Sequence, residues 1–421
     1  MLIIANTLEF NGGTTFILRF CRENYKRGKR LGVLVLMDNP ESRLLREIEQ
    51  YADVYFLSSF VSAPFRFFSK GPLIGFMPFN NAFLSDVFKK HGDTVHIMGV
   101  FGLLFLVRSV IKFNREIKVS VGIYHQNEFM FDGVNSYFAN EAKRIFSSLG
   151  HRGVVFFNEM NVRSYSNFFD VDFSRSMLVP IGVELPSAMV RSLGSASSRR
   201  IISIGNLLDF KSYNRHIIDC MPDLLSLDAS FRYEIFGEGP YEKNLRDLAA
   251  ERGVLEFVDF KGRIPYSQFS VEMNSAFLFV GSGTAVVEAA ALGIPALIGI
   301  ESTNQPVTYG FLCDIDGFSY NELDQDRQLF NMMDAINDVF QDPSAWERVS
   351  SGCRSKSENF SISRTVDGFN FQSDFFPVLD LCFVGGYSSR RSLLSVVACS
   401  IRHIFGDRTF ANRRNQGTIS G

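Results

Sequence analysis

The stretch Gly281–Leu297, GSGTAVVEAAALGIPAL, sets a single carboxylate, Glu288, in an apolar run behind a loop almost bare of side chains. The residues before it, AFLFV, read as a buried strand, and a helix is expected from Thr284. Glycines let a backbone approach a ligand closely. The amides and positive dipole end of the following helix then suit an anion such as phosphate. Glu288, about one turn inside that helix, is placed to reach past phosphates to a sugar hydroxyl. A second reading stays open: Ser282 or Thr284 caps the helix and Glu288 is a solvated acid.

Further stretches carry polar groups at expected strand ends. In IGNLLDFKSY a strand ends at Gly205, and Lys211 follows as a point charge suited to a diphosphate, or as an ordinary surface lysine. IFGEGPYEKNL is a poor dinucleotide fingerprint, because Pro240 follows the second glycine and Glu242 ends the pattern. EFNGGTTF puts Gly12 and Gly13 between the first strand and the first helix, another place for backbone amides to meet an anion. GIYHQNEF ends the fifth strand on His125, Gln126, Asn127 and Glu128. His125 can orient a sugar or simply be hydrogen-bonded; Glu128 is a candidate acid/base or acceptor contact.

These positions need a scaffold that brings strand ends together. Short apolar runs (LIIANT, LGVLVLM, DVYFL, TVHIMG, KVSVGIYH) alternate with helix-period segments, the rhythm of a parallel sheet covered on both faces. A second such series starts at Arg200. Two long helices are expected over roughly 324–340 and 344–360. The expected fold is α/β, two doubly wound Rossmann-like domains facing a cleft, with ligands beyond the carboxyl ends of the strands. The expected boundaries are 1–186, a Ser/Gly-rich linker at 187–199, 200–365, and a returning helix with a basic tail over 366–421.

Bulk composition narrows the class. A chain of 421 residues exceeds one ordinary core, and 46% apolar against 21% charged residues is globular. A formal net charge of -2 gives no global basic field for nucleic acid. The six cysteines form no metal spacing and read as reduced core residues of a cytoplasmic protein; no metal is expected. MLIIANTLEFNGG has neither basic n-region nor cleavage site, so it is not read as a signal peptide. The most apolar run, Met98–Val107, is too short to span a bilayer, which takes about 20 helical residues.

Two segments suit a surface contact. Around 390–414, Arg390, Arg391, Arg402, Arg408, Arg413 and Arg414 face only Asp407, and Leu393, Leu394, Val397, Ile401, Ile404 and Phe405 recur at helical spacing. That pattern fits a basic amphipathic helix on an anionic membrane, or a helix packed on the first domain. The Phe-rich region Phe60–Phe83 fits lipid contact or an ordinary packed loop and helix.

Taken in order, these pieces resemble the GT-B glycosyltransferases, specifically glycosyltransferase family 4 (group 1), over about residues 1–375 and most strongly over 200–300. The resemblance implies retaining transfer of a sugar from a nucleotide sugar, a substrate rather than a cofactor, without a required metal. It implies that Gly12 and Gly13 touch the donor phosphates, His125 the donor sugar, and Lys211 the diphosphate. It further implies backbone contact of Ile264 with the base. Gly283, Thr284 and Ala285 would lie under sugar and phosphate, with Glu288 on the ribose. Two positions depart from the family: Asn206 stands where an arginine is usual, and Val280 where the first of two paired glutamates is usual. The resulting expectation is a cytoplasmic glycosyltransferase, peripheral to the inner face of the plasma membrane. Its acceptor would be a glycan or polyprenyl-linked molecule in O-antigen or capsule synthesis. The alternatives are a sugar-nucleotide epimerase of the same fold and a non-catalytic nucleotide-sugar-binding protein.

Overall fold

A computed structural model describes residues 1–9, 12–113, 116–131, 134–186, 193–324, 326–380 and 383–407, apart from the side chains of Phe83 and Ser267. Cys382, Arg408, Arg413 and Arg414 lie outside the described residues, as does 187–192 of the expected linker. The chain divides into two compact units. One holds Met1–Gly182 together with the described residues from Ile362 to Asp407; the other is Val183–Ser361.

The first unit is built on β1 (Leu2–Ala5), β2 (Leu31–Val35), β3 (Ala52–Phe56), β4 (Thr94–Met98), β5 (Ile117–Gly122), β6 (Val154–Phe156) and β7 (Met177–Leu178). They pair in parallel in the order β3-β2-β1-β4-β5-β6-β7; a late strand, Val378–Leu379, adds to β5 antiparallel. Every residue of β1 and β2 is buried, as expected where helices cover both faces. The two-residue period sorts the faces. Ile3 and Val33 join a cluster with Phe16 and Phe20 of α1 (Gly12–Lys26), whereas Ile4 and Leu34 join a separate cluster with Leu103 and Phe105. The remaining helices before residue 182 are α2 (Ser42–Glu49), α3 (Asn81–His91), α4 (Val100–Phe113), α5 (Tyr137–Ser148) and α6 (Glu159–Phe169). The apolar run at 98–107 thus lies in β4 and α4, and α4 is buried through most of its length. Among the described residues, no helix is long and apolar enough to cross a membrane.

The second unit holds β8 (Arg200–Ile204), β9 (Arg232–Phe236), β10 (Val258–Gly262), β11 (Leu278–Gly281) and β12 (Ala296–Ile298), all parallel, in the order β10-β9-β8-β11-β12. Its helices are α7 (Tyr213–Leu227), α8 (Glu242–Glu251), α9 (Phe269–Glu272), α10 (Thr284–Ala291), α11 (Met332–Gln341) and α12 (Pro343–Ser357). The described part of the expected linker is tied to this unit: the amides of Leu193 and Ser195 donate to the carbonyls of Leu292 and Ala276. The long helix expected over 324–340 is a correction. It starts only at Met332, where the Asn331 side chain accepts from the amides of Met333 and Asp334, and a short strand, Phe330–Asn331, precedes it. Asp342 caps α12 in turn, with Pro343 in its first turn.

The chain then returns to the first unit in α13 (Ile362–Gln372) and α14 (Ser389–Ile404). The apolar spacing expected for the tail splits between two faces of α14. Leu393, Val396 and Cys399 pack on the first unit's core. Leu394, Ile401, Ile404 and Phe405 stay exposed, the last two by 78% and 85%.

Candidate functional site

Strand order reverses between β8 and β11, so the loops after these two strands diverge at a switch point, where ligands bind in open α/β sheets. The β8 loop begins with Gly205 and reaches Lys211; the β11 loop is Ser282–Gly283, feeding α10. Two further glycines hold the β8 loop from below. A Cβ on Gly237 would lie 1.9 Å from the Gly205 carbonyl oxygen, and one on Gly239 would lie 2.1 Å from that of Leu207. The GEG sequence therefore serves close backbone packing: the Gly205 amide donates to the Phe236 carbonyl and the Leu207 amide to the Glu238 carbonyl.

Lys211 folds back over the loop that carries it. A Cβ on Gly205 would meet its Nζ at 3.0 Å and the Tyr213 hydroxyl at 3.5 Å. Burial pulls the Lys211 ammonium toward losing its proton, but the neighbouring Tyr213 and Glu301 outweigh it and push its pKa up. Lys211 is thus a sheltered cation at neutral pH. Asn206, by contrast, is exposed.

Gly283 precedes α10 with φ 67° and ψ -160°, a conformation essentially restricted to glycine. Its amide donates to Asn321 Oδ1 at 2.7 Å, and its carbonyl accepts from the Tyr320 hydroxyl at 3.1 Å. Ser282 is not the helix cap: its hydroxyl donates to Glu301 Oε1 at 2.6 Å. Glu288 is not a solvated acid either. It is only 7% exposed, and its Oε1 accepts from the Tyr266 hydroxyl at 2.9 Å. Thr284 and Ala285 are half-buried in the first turn, and Ile264, after β10, packs partly on the core.

The second unit thereby carries Asn206, Lys211, Ile264, Gly283, Thr284, Ala285 and Glu288 on the carboxyl edge of one sheet. Sequence reasoning missed Tyr266, Glu301, Asn321 and Glu322. Burial pushes the Glu301 carboxyl up, against the opposing pull of Lys211 and the Ser282 hydroxyl. Burial, with the Glu301 charge, pushes Glu322 up to about 7. Glu301 follows β12 by a few residues, so an acid at a strand end was its available signal; Glu322 lies outside the parallel strands, with no such signal.

The other candidates belong to the first unit. Gly12 opens α1, and open space surrounds its Cβ position. His125 is half-buried, and its Nδ1 accepts from the Asn127 amide at 3.4 Å. Glu128, the candidate acid/base or acceptor contact, is turned inward. It is 3% exposed, and its Oε1 accepts from the amide of Val100 at the start of α4 at 3.3 Å. A carboxylate on those first-turn amides meets the positive end of the helix, which accounts for its inward placement.

Residues 190–307 match the family model of the glycosyl transferases group 1. An uncharacterized glycosyltransferase of Haemophilus influenzae is 22% identical over 198 residues, 44% of this chain and 53% of that protein. WcaL of Escherichia coli K12, a putative colanic acid biosynthesis glycosyltransferase, is 29% identical over 119 residues, 25% of this chain and 29% of that protein. The chain thus spans about half the length of the first relative and less than a third of the second. Among solved structures, TarM of S. aureus, in a complex containing UDP, superposes with TM-score 0.61 at 12% identity, covering 89% of this chain and 99% of that one. The lipopolysaccharide outer core galactosyltransferase WaaB gives TM-score 0.54 at 15% identity, covering 88% and 99%. At these identities the likeness is one of fold.

Proposed function

With a glycosyl transferases group 1 segment on a GT-B fold as premise, we propose that this chain transfers a sugar from a nucleotide-sugar donor to a glycan or lipid-linked acceptor. The observation that carries this reading is Lys211, a sheltered cation after β8, on the switch-point edge that also bears the glycine-started helix α10. In the reaction the bond from the sugar's anomeric carbon to the diphosphate breaks. The diphosphate keeps the electron pair, and an acceptor oxygen takes its place with loss of its proton. Lys211 meets the charge that grows on the diphosphate, aided by the amides and dipole of α10 around Gly283, Thr284 and Ala285. Glu288, oriented by Tyr266, accepts hydrogen bonds from the ribose hydroxyls, and Ile264 offers its backbone to the base. Asn206 contributes a neutral contact to the diphosphate. By the resemblance, Gly12 and Gly13 take donor phosphate and His125 the donor sugar, and transfer is retaining without a metal.

Binding is tested by thermal shift with UDP-, GDP- and dTDP-sugars. The reading expects one base series to raise the melting temperature. Glu288→Gln, which keeps the shape but weakens acceptance from ribose, is expected to weaken that ligand by about tenfold, on the order of a charge-assisted hydrogen bond. Equal affinity in the variant removes Glu288 from the site. Glu301 and Glu322 also add the carboxylates an epimerase needs, so products of each incubation are checked for isomer conversion as well as transfer.

The exposed face of α14 fits the surface of an anionic membrane as acceptor-side contact. It presents Leu394, Ile401, Ile404 and Phe405, with Arg390, Arg391 and Arg402 along the same helix and no acidic residue within it. Co-sedimentation is expected with phosphatidylglycerol vesicles and not with phosphatidylcholine vesicles, and to fall with added salt. Equal binding to both, or to neither, rejects the contact.

A further inference from the structure

We propose that Asn321 is a positioning residue for the donor: it ties down the Gly283 amide, so that the diphosphate of the proposed reaction is met one residue further on, by the Thr284 and Ala285 amides. The inference rests on the glycosyltransferase reading of this site and adds a residue that the group 1 resemblance did not supply.

The loop itself creates the need for such a residue. A glycine lets a ligand approach closely, but it also leaves the backbone free to turn over. One side of Gly283 is open: a Cβ built on it would meet no atom within 4 Å. Its two peptide groups are held all the same, and by consecutive residues. Asn321 Oδ1 accepts from the Gly283 amide at 2.7 Å, and the Tyr320 hydroxyl donates to the Gly283 carbonyl at 3.1 Å. A backbone N–H only donates, so the oxygen of the Asn321 side chain faces Gly283 rather than its NH2 group. Tyr320 is buried, and its ring meets that of Phe360 edge-on at 5.8 Å. The Asn321 carbonyl accepts from the Glu301 amide at 2.8 Å, and Glu301 Oε1 accepts from the Ser282 hydroxyl at 2.6 Å. Hydrogen bonds thus run from Ser282 through Glu301 and Asn321 back to Gly283, a closed circuit around the turn into α10.

The chemistry follows from which amides remain. With its N–H engaged by Asn321, Gly283 offers a ligand bare backbone and no donor. No side chain caps α10. First-turn amides have no carbonyl partner inside their own helix, so those of Thr284 and Ala285 are left for an anion. Because the circuit fixes the turn before donor arrives, these amides meet the charge growing on the diphosphate without reorganising.

The test uses the full chain and whichever of the UDP-, GDP- or dTDP-sugars it turns over, with the matching free nucleoside diphosphate as binding probe. Asn321→Ala is expected to lower kcat by about 10- to 100-fold, the range for a lost positioning contact, and to change nucleoside diphosphate affinity by less. Asn321→Asp keeps an oxygen on the Gly283 amide, and a carboxylate suits a helix start, so its melting transition stays near wild type. Its charge stands beside the diphosphate, however. Nucleoside diphosphate affinity is therefore expected to fall by about tenfold at low salt and to recover in part as salt is added. Tyr320→Phe should lower kcat by less than Asn321→Ala; if Asn321→Ala melts early, its kcat takes that variant's place in the test. Wild-type kcat without the Asn321 contact, or unchanged nucleoside diphosphate affinity in Asn321→Asp, while Lys211→Ala is inactive, overturns the role of Asn321 alone. Full turnover by Lys211→Ala, or no turnover by the wild-type chain, overturns the site reading and this inference together.

Discussion

Lys211→Ala lowers donor turnover by about 10²- to 10³-fold while the protein keeps its melting transition. The magnitude is that of removing one preorganised group from charge that develops in a transition state. Three features make this position sensitive. The ammonium lies against the Gly205 backbone at the end of β8 rather than waving in solvent. Its neighbours Tyr213 and Glu301 keep it protonated in spite of burial. Asn206, which is neutral, stands in the same loop, so the loop offers the diphosphate no second cation. Stability changes less, because the alanine also removes the cost of burying a charge. The assay is release of nucleoside diphosphate, with circular dichroism melts beside it. Turnover within a few-fold of wild type removes Lys211 from the chemistry.

Gly237→Ala destabilises the second unit by more than about 3 kcal/mol, in the upper tail of single substitutions. The added Cβ lands 1.9 Å from the Gly205 carbonyl oxygen, far inside van der Waals contact, and the obstacle is backbone rather than a side chain that can rotate away. Gly237 also sits at φ 143°, where any L side chain is strained. The strands must part at their carboxyl ends, which moves the loop that carries Lys211, so activity falls together with stability. Gly12→Ala is the control: its Cβ position has open space and the residue is helical, so its urea midpoint stays close to wild type. A wild-type midpoint for Gly237→Ala contradicts the packing described for the GEG loop.

Much of this was legible in the amino-acid sequence, for reasons that differ by element. The buried parallel strands are short runs of β-branched and apolar residues, and helical periodicity between them carries the layer order. The strand-end places of Gly283 and Lys211 were legible because each follows an apolar run closely in sequence. The packing role of Gly237 and Gly239 was not, since a glycine needed for contact with another strand's backbone looks like one needed for a ligand. Glu128 illustrates a similar ambiguity: a polar residue at a strand end can serve a neighbouring helix, here α4, rather than a substrate. The start of α11 was misplaced because Asp324 and Asn331 are both good caps, and only the structure selects Asn331. Glu301, Asn321 and Glu322 escaped notice because they approach the glycine loop from segments distant in sequence. No local spacing encodes such a meeting.

In the proposed function the carboxyl edge of the second sheet binds and activates a nucleotide sugar. Its most direct measurement is product analysis after incubating the chain, and Lys211→Ala in parallel, with UDP-, GDP- and dTDP-sugars. The wild-type chain is expected to release nucleoside diphosphate from the sugars of one base, and the variant is not. Release from none of them, conversion to an isomeric nucleotide sugar, or equal release by both proteins contradicts it.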